Sequence, residues 1–68
     1  MKKIKINTEF IRLDALLKLA GLCETGGHAK QLILDGQVLV DGEVCLQRGR
    51  KIRADMCVQI GEQQLTVE

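Results

Sequence analysis

Apolar positions in this chain change their period twice. Leu13, Leu16, Leu17 and Ala20 recur at i, i+3, i+4 and i+7, one face of a helix running from about Arg12 to Ala20. Ala29, Leu32 and Ile33 repeat the first part of that spacing and predict a second helix. On either side the period falls to two. Lys3-Ile4-Lys5-Ile6 alternates as a half-buried strand, with the isoleucines inward and the lysines outward. Val38-Leu39-Val40, Glu43-Val44-Cys45, Cys57 to Ile60 and Leu65 to Val67 read as further strands. Helices this short do not persist alone in water, so they must pack on each other and on the sheet. The expected architecture is α+β: two short packed helices against a small, mostly antiparallel sheet. Leu13, Leu16, Leu17, Ala29, Leu32, Ile33, Val38 and Val40 are expected in one core.

The punctuation agrees with these elements. Gly21 and Gly36 follow the two helices, where a left-handed residue without a Cβ closes the last turn. Asp14 near the start of the first helix suits its dipole. Asp41-Gly42 between two apolar runs is a strong hairpin signal. Leu46 to Arg53 reads as a loop or irregular edge anchored inward by Ile52, and Gly61-Glu62 turns the chain into its last strand. Pairing of the first and last strands would close the sheet.

Thr25 is a good N-cap for the second helix, with His28 where a capping box wants Glu or Gln. Gly26 and Gly27 are poor helix formers, so propensity does not account for them. Two roles stand open. They expose backbone amides at a positive helix end, which suits an anion, or they bend the chain so that two helices cross closely. His28 is open in the same way, as a solvated first-turn residue or a ligand contact.

Composition narrows the class. Sixty-eight residues make one domain with a small core. A hydrophobic fraction of 46%, almost wholly aliphatic, is globular and not disordered. No apolar run approaches a membrane span and no secretory signal opens the chain, so the cytoplasm is the default location and no membrane is involved. Cys23, Cys45 and Cys57 are an odd set without Cys-x-x-Cys spacing. Reduced thiols in apolar surroundings are therefore expected, with neither disulfide nor metal. Phe10, the one aromatic residue, is expected in the core.

Net charge is only +1, but its distribution is uneven. Arg48, Arg50, Lys51 and Arg53 fall within six residues that hold no acid, Lys2, Lys3 and Lys5 form a second cluster, and the acids are spread singly. Catalysis is poorly served: there is no Ser, no Tyr and one His, and a nucleophile needs an oriented base inside a pocket. A ubiquitin-like sulfur carrier would end in Gly-Gly, whereas this chain ends Val67-Glu68. A non-catalytic, cofactor-free binding module remains. Phosphate contacts need only Lys, Arg and exposed amides. With Phe10 in the core no stacking platform is left, so the expected ligand is folded or double-helical RNA read by backbone shape. The competing reading is a protein-interaction module on the same fold.

The order Arg12-Leu13-Asp14, Gly21-Leu22, Ala29-Lys30, Leu32-Ile33 and Gly36-x-Val38-x-Val40-Asp41-Gly42 resembles the RNA-binding domain of ribosomal small-subunit protein four, the S-four-type or alpha-L domain. The likeness runs from about residue 12 to residue 60, and so short a chain looks like the stand-alone bacterial members of the group, the YbcJ/YaaA-like proteins. Family members act in ribosome assembly, tRNA charging or RNA modification as targeting modules. The resemblance therefore implies binding to structured RNA of the rRNA or tRNA class by a monomer. Carried over by position, Arg12, Thr25 and Lys30 become RNA contacts, and Asp14 and Asp41-Gly42 shape the backbone. The family usually has Ser-Arg where this chain has Thr25-Gly26. Arg48, Arg50, Lys51 and Arg53 are expected to compensate, which completes an expected RNA face of Arg12, Thr25, Gly26, Gly27, His28, Lys30, Arg48, Arg50, Lys51 and Arg53.

Overall fold

The computed structural model describes residues 2–68. Nine elements follow one another: β1 Lys2–Ile4, β2 Ile11–Arg12, α1 Leu13–Leu19, α2 Gly26–Leu34, β3 Val38–Val40, β4 Glu43–Val44, β5 Lys51–Ile52, β6 Cys57–Ile60 and β7 Gln63–Val67. Five strands form one sheet in the order β1-β7-β6-β3-β4, and β2 and β5 make a separate two-stranded ribbon. All pairings are antiparallel except β1 with β7, where Lys2 meets Leu65 and Ile4 meets Val67 in parallel. The first and last strands thus pair, but the pairing does not close the sheet, which stays open with β1 and β4 at its edges.

One apolar core joins both layers. Leu13, Leu16, Leu17 and Ala20 of the first helical segment meet Ala29 and Ile33 of α2 above Val38, Val40, Val58, Leu65 and Val67 of the sheet, and no polar side chain among the described residues is buried with them. Leu32 is half-buried at the rim, since its position on the helix turns it away from the Ala29–Ile33 line. Helix α1 ends in a tight turn, with Gly21 at φ +78° and the Leu22 N–H donating to the Leu17 carbonyl at 3.0 Å. Lys2, one of the amino-terminal basic cluster, donates its Nζ to the Ala20 carbonyl at 2.7 Å, a cation at the negative end of α1.

Three expectations need correction. Helix α1 begins at Leu13, one residue later than its apolar period suggests: Arg12 is extended (φ −68°, ψ 146°) and paired with Lys51 across the ribbon. The Leu46 to Arg53 segment contains a short strand, because Ile52, fully buried, brings its backbone against Ile11. Phe10 is half-buried and is not among the side chains that pack against the core. It precedes Ile11, and neighbours on an extended chain face opposite ways, so burying Ile11 turns Phe10 outward.

Candidate nucleic-acid interface

The ribbon decides where the basic segment lies. Ile11 stands opposite Ile52, and Arg12 opposite Lys51. With period two, the isoleucine pair faces the core, and continuing the register puts Phe10 across from Arg53 on the outer face. Phe10, Arg12, Lys51 and Arg53 therefore share one surface. The Lys51 Nζ lies 4.9 Å from the Phe10 ring centroid and the Arg53 Cζ 5.7 Å.

Two backbone hydrogen bonds fasten the preceding loop to the start of α1. The Leu13 N–H donates to the Arg50 carbonyl at 2.9 Å, and the Asp14 N–H to the Arg48 carbonyl at 3.1 Å. Orphan amides at a helix start are thus satisfied by the loop that carries the arginines. The Arg12 guanidinium lies over this loop: a Cβ added to Gly49 would sit 3.7 Å from Arg12 Nη2. Asp14 orients it, Oδ2 pairing with Nη2 at 3.2 Å while Oδ1 accepts the Ala15 N–H at 2.8 Å. That ion pair is exposed and adds little stability; its effect is on direction.

Arg12 also borders the second helix. With Asp14, Ala15, Lys18 and Gly26 it lines a surface depression of about 270 Å³ between α1 and the start of α2. Thr25 caps α2 as expected, its Oγ1 accepting the His28 N–H at 3.1 Å. The structure also separates the two roles left open for the glycines. A Cβ on Gly26 would meet nothing within 4 Å, and one on Gly27 only Thr25 Oγ1 at 3.8 Å; neither has a positive φ. Close helix crossing does not require them, and the backbone at Gly26 faces open space.

Lys30, one turn beyond Gly26, continues the same flank of α2. His28 is exposed but turned about 200° around the helix from Gly26, at about 100° per residue, so it does not join this face. Arg12 thus stands between Gly26 on one side and the Arg48–Arg53 segment on the other. Two further residues border this surface that the sequence pattern of basic clusters does not mark. Lys18 lies one turn after Asp14 on α1, and only the placement of α2 puts it beside Gly26. The side-chain type of Phe10 points to the core, whereas its alternation with Ile11 points outward, and the structure follows the alternation. No three His, Cys, Asp or Glu side chains come together as a metal-binding group among the described residues.

An S4 domain model matches residues 4–68, nearly the whole chain. The chain belongs to the S4 domain family. This S4 domain is 42% identical over 57 residues to the probable ribosome maturation protein RlbA of Bacillus subtilis (strain 168), covering 84% of this chain and 80% of that protein. Its fold is similar to that of YbcJ from E. coli, whose solution structure contains an alpha-L motif involved in RNA binding. The TM-score is 0.76 at 35% identity, over 98% of this chain and 86% of YbcJ. The S4 domain described here thus has the alpha-L arrangement of two helices and a mostly antiparallel sheet.

Proposed function

We propose that this S4 domain binds structured RNA, of the ribosomal class, through phosphate contacts on the face centred on Arg12, and that it acts in ribosome maturation without catalysis. Arg12, Lys18, Lys30, Arg48, Arg50, Lys51 and Arg53 are the cations of that face. Thr25 caps the His28 N–H, and the backbone amides at Gly26 and Gly27, in the first turn of α2, supply neutral donors to a phosphate oxygen. The observation that carries the reading is the position of Arg12, against the Gly49 loop on one side and the Gly26 depression on the other. It joins two separate basic segments into one surface on a chain of net charge +1. The alpha-L motif of YbcJ and the name of RlbA support the same direction. The domain works as a monomer in the cytoplasm, where such RNA is found.

The test is RNA binding by Arg50→Glu combined with Lys51→Glu across a salt series. Both side chains are exposed, so the fold is expected to survive, which circular dichroism verifies. With about four to five phosphates neutralised, the native log–log salt slope is expected near −3 to −5, and the double variant flattens it and weakens binding to all structured RNAs alike. Unchanged affinity and slope would favour a protein-docking module instead.

A further inference from the structure

The outer face of the ribbon holds the chain's one aromatic ring among cations and clear of the core. Phe10 is half-buried and does not pack against the core cluster. Lys51 Nζ approaches its centroid to 4.9 Å and Arg53 Cζ to 5.7 Å. The backbone beneath the ring is fixed on both sides: the Thr8 hydroxyl donates to the Phe10 carbonyl at 2.8 Å, and Ile11 is paired with buried Ile52. A planar apolar ring held at the surface by its own backbone, with positive charge around it, has the components of a base-stacking site.

We infer that Phe10 is a stacking platform for an unpaired nucleobase, so that the preferred ligand is an RNA helix interrupted by a bulged or looped-out nucleotide. The inference rests on the RNA-binding reading above and narrows its ligand. Lys51 and Arg53 hold the phosphates flanking that nucleotide. In the free protein they lie over the ring, and a cation over a ring at the surface is weakly held, whereas a nucleobase on the same ring gains more. Binding therefore exchanges the two partners: the base takes the ring, and the released cations meet the phosphate charge they are suited to. Charge alone does not distinguish a bulged helix from a continuous one. The ring does, because bases inside a continuous helix have both faces covered.

The chain has no Trp and no Tyr, so Phe10→Trp creates a single indole reporter at the site. The probes are an RNA duplex with one adenosine bulge and the same duplex fully paired. Quenching of the indole by the bulged duplex and not by the paired one is expected. Phe10→Leu, which keeps apolar bulk without a flat π face, is expected to lose on the order of tenfold in affinity for the bulged duplex and nothing for the paired one. If the native protein binds both duplexes equally, the Phe10→Trp indole is not quenched and Phe10→Leu has no effect, the stacking platform is overturned while salt-dependent binding keeps the phosphate reading intact. If the native protein binds neither duplex, the RNA reading falls and the platform with it.

Discussion

Asp41 binds both backbone polar groups of Cys57. Its N–H donates to the Cys57 carbonyl at 2.8 Å, and its carboxylate Oδ1 accepts the Cys57 N–H at 2.9 Å. The residue does this from a left-handed conformation, φ +50°, with Gly42 following at +87°, the backbone that a two-residue hairpin turn demands. The tip of the β3–β4 hairpin is thereby bonded to the first residue of β6. Asp41→Ala removes the acceptor and puts an alanine where Asp or Asn is better tolerated. A loss of about 1–3 kcal/mol in urea unfolding is expected, with Asp41→Asn recovering most of it.

Leu17 is fully buried where α1 meets α2 and the sheet. Its truncation leaves a cavity in a core too small to close over it. Leu17→Ala is expected to cost about 2–5 kcal/mol, a large share of the stability of a domain this size. Chemical denaturation measures this directly, and a loss below about 1 kcal/mol would mean that the two helices are not clamped to the sheet through this residue.

Gly26 stands where the family usually has arginine, and the structure leaves room for one. Nothing lies within 4 Å of the position its Cβ would take, and its φ is not positive. Gly26→Arg gains helix propensity but sets a cation at a positive helix end, so stability is expected to change by less than about 1 kcal/mol. A further cation beside Arg12 and Lys18 is expected to tighten RNA binding and to steepen the salt slope by about 0.7–0.9. Filter binding at several salt concentrations reads both effects, and unchanged affinity would place the RNA backbone away from the start of α2.

Burial pushes the Cys23 thiol above its ordinary value. An unfolded chain ionises this thiol near pH 8.5, while the folded chain holds its proton to higher pH. Below that pH both states hold the proton and the residue contributes no pH dependence. Above it the unfolded state binds fewer protons, so stability falls as pH rises. Urea unfolding in reductant from about pH 8 to about pH 10 is expected to show this decline, and Cys23→Ala to flatten its share of it.

Local chemistry determined much of this protein. The 3.6-residue period from Leu13 to Ala20 and from Ala29 to Ile33 specified two helices, because each apolar stripe needs a partner. Thr25, Gly21, Gly36 and Asp41-Gly42 marked caps and turns, because each meets a backbone demand within a few residues of itself. Alternation also foretold the pairing of the first and last strands, although not that they run parallel.

Tertiary structure decided what depends on contacts between distant residues. Whether Arg12 starts a helix or ends a strand turns on Lys51, thirty-nine positions later, because Arg12 was equally eligible for either until a partner strand claimed its backbone. Lys18 and Gly26 adjoin only because α1 and α2 pack side by side. Phe10 shows the limit most clearly. Hydrophobicity argues for burial of any phenylalanine, but Ile11 and Ile52 already occupy the inner face of the ribbon, and an extended chain cannot turn adjacent side chains the same way. Its outward, half-buried place beside Lys51 and Arg53 is set by that competition for the core, which no single stretch of the sequence contains.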